Sequence, residues 1–380
     1  MAKKIKVGFM LQCPDSWDKI NTVFEAMIND DRFEPCGIVV PGYEGYDIGV
    51  RPFGAWGDEW EFFHKLHPKY MIDAVDEKKN ILDMRAMCFD YVFYQRPYEA
   101  LLPYLLCAQY VKDFSRICYI PYGAIGAKVF EQFALKNVDF FSCVDYYFAP
   151  SKHMSELYSI YYSGSPRKPK SMALGYPAFE NFFEYAGNRC PILKNKKILW
   201  TPRWSYDSVI GGSHFLEYKD EFIKFKKSHT HLPMMVRPHP LMHGELINKG
   251  LISKEDWENY LNVLNRNGID YDKEKVVDSA LLHADIMLTD FSTIIPMFFI
   301  LNKPIIYCPA SNIELNVDYA RLLPGVYVAE NWEDIDVLLK FLSQGMDIKR
   351  QKRGKIIEEL KGEHVGAVKR ILNYLAEEAM

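Results

Sequence analysis

The chain has 380 residues, enough for two domains at about 100–200 residues each. Hydrophobic residues make up 49%, charged residues 25%, and 46 basic against 50 acidic side chains leave a net charge of −4. That balance excludes a disordered chain, a collagen-like repeat and a small disulfide scaffold, and a pI near 6.2 gives no global attraction to nucleic acid. Aromatic residues are unusually frequent at 15%, which suits large cores and aromatic-lined clefts.

In chain order, Lys4–Leu11 reads as a buried strand, Trp17–Asn29 as a helix and Cys36–Val40 as a second strand. Strand, helix, strand over about 40 residues is a βαβ unit, which needs a parallel sheet. The alternation continues with a strand at Tyr91–Tyr94, a helix at Leu101–Phe114, and strands at Ile117–Ile120 and Asp145–Ala149. Ser151 is placed to cap a helix running to Tyr161, and Phe179–Tyr185 reads as helical. Gly187, Asn188 and Pro191 break the pattern, so 186–195 reads as a linker between a first domain at 1–185 and a second at 196–347.

The second domain repeats the alternation. Strands are expected at Lys197–Trp200, Pro233–Val236, Ile286–Leu288 and Pro304–Tyr307, and helices at Phe215–His229 and Lys254–Asn267. Residues 348–380 read as a helical tail. The expected class is α/β, with two Rossmann-like domains facing a cleft. Ligands of such sheets bind at the carboxyl ends of the strands, so residues just after strands are the candidates.

Four segments stand there. Leu288-Thr-Asp-Phe-Ser-Thr-Ile-Ile-Pro296 runs from a strand into a helix, and Pro296 must lie in the helix's first turn. With Ser292 or Thr293 as the N-cap, the N–H groups of Thr293, Ile294 and Ile295 face the cleft as an anion site; ordinary capping of a buried helix is the plainer alternative. Val236-Arg-Pro-His-Pro240 holds His239 between two prolines, with Arg237 beside it, to grip a phosphate or protonate a leaving oxygen, unless it is a surface turn. Leu199-Trp-Thr-Pro-Arg-Trp204 sets Arg203 between aromatics, for stacking or phosphate pairing or as a surface arginine. In the first domain, Tyr122-Gly123 follows a strand, with Gly126 three residues on.

No HExxH, G-x-S-x-G, Walker loop or GxGxxG occurs, and the remaining histidines lack metal spacing, so no metal or cofactor is expected. The N-terminus carries no recognisable secretory signal, and the longest apolar run, Ile294–Leu301, is too short to span a bilayer. The eight cysteines form no CxxC pair and read as reduced and mostly buried, in keeping with a cytoplasmic protein.

The run Val277–Ile294 followed by Asn302–Tyr307, with Ile-Leu-Trp-Thr-Pro-Arg203 and Arg-Pro-His-Pro240 ahead of it, resembles the CDP-glycerol glycerophosphotransferase family. The resemblance covers most of 195–310 well and the first domain loosely. It implies a GT-B architecture, a CDP-activated donor held by the second domain, and an acceptor held by the first. It implies that Ser292 and Thr293 bind donor phosphate, that His239 sits at the donor diphosphate and Arg203 at the donor or cleft edge, and that Asp290 orients the loop. It also implies a C-terminal helix returning across the cleft.

One departure matters. The family's polymerases carry His-Gly after a first-domain strand, where this chain has Tyr122-Gly123. A tyrosine with an ordinary pKa of about 10 is a poor base at neutral pH, which leaves His153 or Asp15 as candidates. The expected activity is transfer of a polyol phosphate from a CDP-activated donor to a hydroxyl acceptor in surface-polymer synthesis. A glycosyltransferase on the same scaffold is the alternative, and a catalytically silent binding module the third. A lipid-linked acceptor is compatible with such chemistry, and Lys349, Arg350, Lys352, Arg353 and Lys355 form a basic tail segment suited to anionic lipid at the inner membrane face, or else to a solvated helix start.

Overall fold

The computed structural model describes residues 3–41, 56–99, 102–124, 126–187 and 196–379. The first sheet contains β1 (Ile5–Leu11), β2 (Phe33–Val39), β3 (Met71–Asp73), β4 (Tyr91–Tyr94), β5 (Arg116–Tyr119), β6 (Tyr146–Phe148) and β7 (Lys170–Met172). The second contains β8 (Ile198–Thr201), β9 (Met234–Val236), β10 (Ile269–Tyr271), β11 (Ile286–Thr289), β12 (Ile305–Tyr307) and β13 (Tyr327–Val328). Their orders are β3-β2-β1-β4-β5-β6-β7 and β10-β9-β8-β11-β12-β13, with parallel pairing. This is the expected pair of Rossmann-like sheets. Central strands such as β8 and β11 are buried at every residue because helices cover both faces. Strand order reverses between β1 and β4, and again between β8 and β11. Those two switch points open the crevices where ligands of this fold class lie.

Several local expectations need correction. The helix expected at Leu101–Phe114 is two short pieces, Tyr104–Leu106 and Ala108–Val111, because Cys107 takes extended backbone between them; Leu101 lies outside the described residues. The stretch from Trp17 begins inside a 3-10 turn, Pro14–Lys19, and becomes α-helical only at Asn21–Ile28. The helix expected at Phe179–Tyr185 spans Pro177–Gly187, and most of the linker, 188–195, lies outside the described residues. Of the seven described cysteines, all free, only Cys118, Cys143 and Cys308 are buried, and Cys88 is exposed.

The tail forms two helices, Arg350–His364 and Ala367–Ala379. Arg353 is fully buried and donates to the carbonyls of Asn302 (3.0 Å) and Gly325 (3.2 Å), with Asp347 as its ion-pair partner. The last helix lies against the first sheet: Tyr91 donates to the Leu375 carbonyl (2.9 Å), Arg116 to the Glu378 carbonyl (2.7 Å), and Lys170 pairs with the Glu378 carboxylate (2.7 Å). The chain thus crosses back from its second sheet to its first. Lys349 also turns inward, donating to the Val326 carbonyl, so of the five tail cations only Arg350, Lys352 and Lys355 remain exposed. No helix among the described residues is long and apolar enough to cross a membrane.

Candidate functional site

At the second switch point, β8 and β11 end side by side, and Thr201 donates to Thr289 Oγ1 at 2.7 Å. The next residue, Asp290, is 1% exposed. Its carboxylate accepts the Arg203 amide (2.8 Å), the His214 amide (3.3 Å) and His214 Nδ1–H (2.7 Å). Burial alone would lower the His214 pKa, but the Asp290 bond and charge outweigh it and raise it. The contact is therefore strongest below about pH 6.5 and weakens as pH rises through the raised His214 pKa. Replacing Asp290 with alanine strands these donors and is expected to cost about 3–5 kcal/mol. D290N, which keeps one oxygen, should cost less, and urea unfolding at pH 6 measures both; equal, small losses would show that the carboxylate organises nothing.

Arg203 is also internal to this loop. Its guanidinium donates to the carbonyls of Gly211 (2.7 Å), Ile210 (2.8 Å) and Phe291 (3.3 Å), and lies over the rings of Phe130 (4.9 Å) and Phe291 (5.4 Å). Burial pulls its pKa down to about 10, which leaves it charged at neutral pH. Its fork is used to fold the 203–214 loop over the strand ends.

The helix that follows β11 is Ile295–Ile300, with Ile294 at its N-cap position and Pro296 in its first turn. Neither hydroxyl caps it in the expected way. The Ser292 Oγ accepts only the Ile294 amide, at 3.4 Å, and the Ile295 amide turns back to the Ser292 carbonyl at 3.3 Å. Ser292, Thr293 and Ile294 thus form the bend that leads into the helix.

Arg237 and His239 follow β9. Arg237 pairs with Asp272 (2.6 Å) and donates to the Glu274 carbonyl (2.8 Å). His239 Nδ1 accepts the Leu241 amide at 3.2 Å. A neutral ring must then carry its proton on Nε2. Surrounding protein, then the charges of Arg203 and Arg237, press the imidazole towards its neutral form, with a pKa lowered to about 3. The ring is nonetheless surface-exposed, as a group on a cleft wall is.

The first sheet brings its own strand-end residues to the same place. A β-carbon at Gly123 would stand 3.3 Å from Thr293 Cγ2, a tight contact, so the glycine backbone lets this loop rest closely on the bend and a side chain there would make Thr293 give by a few tenths of an ångström. The Tyr319 hydroxyl ties the two sides, donating within 3.1 Å of the Ala124 carbonyl and 3.4 Å of the Ser292 carbonyl. A short antiparallel bridge joins Ala127 to Leu315 beside it. Tyr122 shares a hydroxyl–hydroxyl bond with Tyr98 (2.9 Å). His153 is drawn into a different contact, bonding Glu131 at 2.7 Å, while Asn316 reaches the same carboxylate oxygen at 2.8 Å.

Asp15, just past β1, is exposed, yet protein crowding raises its carboxyl pKa against the opposing pull of Lys275, Arg237 and Arg96. Lys275 bridges to Asp58 of the first half of the chain at 2.6 Å. Arg237 therefore lies within electrostatic reach of both His239 and Asp15. Near these strand ends several buried polar atoms lack a hydrogen-bond partner: Gln12 Oε1, Asp18 Oδ1, Arg96 Nε, Asp278 Oδ1 and the Tyr307 hydroxyl. Each such atom costs free energy until a ligand or water satisfies it. Asp278, pushed up to about 6 by burial and then by Asp18, belongs to the same cleft.

Motif reading singled out neither His214 nor Lys275, Arg96 and Tyr98. His214 had one usable signal, the Gly211-Gly212-Ser213 turn before it; the others stand within sequence that carries no motif. Among the described residues no group of three or more His, Cys, Asp or Glu is placed to hold a metal ion.

Two parallel sheets of this order, with their strand ends brought together, define a GT-B-like fold. A putative UDP-N-acetylglucosamine 2-epimerase from Listeria monocytogenes shares it with a TM-score of 0.61 at 11% identity, over 99% of this chain and 97% of that one. The wall teichoic acid polymerase TagF shares it with a TM-score of 0.60 at 14% identity, over 99% and 88%. The UDP-GlcNAc 2-epimerase from Neisseria meningitidis, bound to UDP-GlcNAc, gives 0.58 at 11%, over 99% and 100%. Identities this low establish the fold alone. No curated protein matches the chain by sequence. The model of the CDP-Glycerol:Poly(glycerophosphate) glycerophosphotransferase family matches residues 128–359, and the chain belongs to that family.

Proposed function

We propose that this protein transfers a polyol phosphate, glycerol phosphate first among the candidates, from a CDP-activated donor to a hydroxyl acceptor during synthesis of a cell-surface polymer. Family membership supports the reaction class. The observation that carries the reading is the meeting of Gly123 with Thr293, which sets first-sheet strand ends against the bend after β11.

In this reading the donor diphosphate lies on Ser292, Thr293 and the Ile294 amide, which exchanges its long 3.4 Å contact with Ser292 Oγ for a phosphate oxygen. The His239 Nε2–H donates to the oxygen between the two phosphorus atoms or to the departing phosphate. Arg237 adds positive field from its place beside Asp272, and Arg203 holds the loop and cleft edge rather than the anion. Asp15 takes the acceptor's proton as the acceptor oxygen attacks the distal phosphorus. The P–O bond to CMP breaks, and CMP leaves with the electron pair. Of the base candidates Asp15 is favoured, because His153 is occupied with Glu131 and Tyr122 with Tyr98. The unpartnered Gln12, Asp18 and Asp278 oxygens suit polyol hydroxyls. Alignment and fixed charge supply the catalysis, and protein groups alone provide them.

A lipid-linked acceptor and a peripheral place at the inner membrane face belong to the same proposal. Arg350, Lys352 and Lys355, beside Ile348 at 76% exposure, would make the contact.

Titration calorimetry in EDTA with CDP-glycerol, CDP-ribitol, UDP-sugars and CMP-sugars tests the donor assignment. Binding of a CDP-polyol in preference to the sugar nucleotides is expected, and absence of any cytidine-nucleotide binding rejects the reading. A glycosidic bond in the product, in place of a phosphodiester, would establish the glycosyltransferase alternative.

A further inference from the structure

His214 and Asp290 form a pair that the transfer chemistry above leaves unused. The loop from Arg203 to Ser213 is built to bring them together. The Gly211 amide turns back to the Asp207 carbonyl (2.7 Å) and the Ser213 amide to the Ser205 carbonyl (3.3 Å), while Arg203 holds the carbonyls of Ile210 and Gly211. Gly212 sits at φ +97°, and a β-carbon there would stand 2.7 Å from Ala310 Cβ, so this turn needs glycine. His214 then opens the helix Phe215–Ser228, with its amide and its Nδ1–H both on Asp290. One face of the ring lies on the buried Tyr218, with centroids 5.2 Å apart and planes 8° from parallel. The side chain is 18% exposed. Among the described residues nothing bonds its Nε2, and solvent reaches that atom.

A carboxylate that accepts Nδ1–H favours the imidazolium, and the free edge then carries a proton on Nε2. The groups that face the ring are Asp290, Glu217 on its own helix and the phenol of Tyr218, which has Cys308, Glu217, Asp290 and Glu333 around it. Burial opposes the charge, but Asp290 and then Glu217 outweigh it. The bend at Ser292–Ile294 starts two residues past Asp290 and offers hydroxyls and an amide, without a charge of its own. A diphosphate diester brings a negative charge on each phosphate. Arg203, Arg237 and Lys275 are engaged by carbonyls, by Asp272 and by Asp58, and His239 is held neutral. The outward Nε2–H of a neighbouring imidazolium supplies what the bend lacks, a charge-assisted bond to a phosphate oxygen.

We propose that His214 is a donor-binding residue: as an imidazolium it donates Nε2–H to a phosphate oxygen of the nucleotide-activated donor, and the protein takes up a proton from solvent as the donor binds. Asp290 is its positioning residue. This rests on the transferase reading above and specifies how the donor is held. Where the free ring is already charged, no proton moves. At higher pH binding must first charge the ring, so donor affinity falls as pH rises. The bound diphosphate keeps the ring protonated, so the effect appears in donor Kd and leaves kcat at saturating donor without a histidine limb.

The test is calorimetric titration of the full chain with CDP-glycerol and, separately, a UDP-sugar, from pH 6 to 9, in PIPES, HEPES and Tris. The dependence of the observed heat on buffer ionisation enthalpy counts the protons exchanged. A diphosphate diester gains and loses none in this range, so any uptake belongs to the protein. Uptake of about half a proton or more is expected at its maximum, with Kd rising by up to about tenfold per pH unit above the free ring's pKa. His214→Gln should abolish the uptake, flatten the Kd profile and raise Kd at pH 7 about 10–100-fold, the worth of one charge-assisted bond. Asp290→Asn should move the break in the Kd profile to lower pH, a shift that a merely structural role would not produce. Donor binding by the parent without proton uptake overturns the proposal, and that measurement needs no variant; so does uptake that persists in His214→Gln. Binding of the UDP-sugar with uptake, and none of CDP-glycerol, overturns the transferase reading and upholds the imidazolium. Binding of neither overturns both.

Discussion

Replacing His239 with alanine is expected to lower kcat about 10²–10³-fold, the usual worth of one donor aimed at developing charge on oxygen. The ring's tautomer makes this specific. Because Nδ1 is occupied by the Leu241 amide, the cleft receives an Nε2–H and nothing else from this residue. A glutamine side chain can offer a comparable N–H, so His239→Gln should retain more activity than His239→Ala. The environment holds the imidazole neutral, with a pKa lowered to about 3. Activity should therefore show no histidine limb between pH 5 and 8: above its lowered pKa the ring is already in its working form. Measured kcat against pH for the parent and both variants checks this. A limb near 6.5 that vanishes in His239→Gln would mean that the ring works as a cation, and the assignment would fail.

Asp15→Asn is expected to reduce kcat by about 10²–10⁴-fold, the range for removing a positioned general base. The sign of its pH dependence follows from its surroundings. A base works when ionised, so activity is lost as pH falls through the Asp15 pKa. Crowding raises that pKa above an ordinary aspartate, against the cations around it, so the acid limb lies at higher pH than an unperturbed carboxyl would place it. The limb should disappear in Asp15→Asn, leaving a slow rate that varies little with pH, while donor affinity by calorimetry stays the same. An acid limb that persists unchanged in the variant would move the base elsewhere, with His153 the next candidate.

How far the sequence carried can be judged residue by residue. The strand at Tyr91–Tyr94 and the Ser151-capped helix Lys152–Tyr161 were legible to the residue, because a fully apolar run and a capping hydroxyl are local signals. The short strands β3, β10 and β13 were not, since two or three residues carry no periodicity. The helix expected at Leu101–Phe114 failed for a related reason. Its apolar spacing suits a helix, but the side chain of Glu99 takes the Ala108 amide and restarts the chain there.

At the site, the sequence marked strand-end segments but not what their side chains touch. Arg203 stands just past a strand, yet its donors close on the carbonyls of Ile210, Gly211 and Phe291. Two of the five tail cations, Lys349 and Arg353, point inward to carbonyls and a carboxylate. Whether a charged side chain faces solvent, a ligand or its own backbone is a matter of what surrounds it, and helical spacing does not report that.

By itself, then, the sequence determined the α/β class, the strand-end segments at 199–204, 236–240 and 288–296, and the family resemblance. These follow from short-range patterns: apolar runs, prolines and glycines at turns, and residues consecutive in the chain. Only the tertiary structure decided the contact of Gly123 with Thr293, the proton on His239 Nε2, the charges gathered around Asp15 and the pairing of Tyr98 with Tyr122. Each depends on atoms brought together from distant parts of the chain, and hydrogen-bond partners, desolvation and ring contacts exist only once that packing is made.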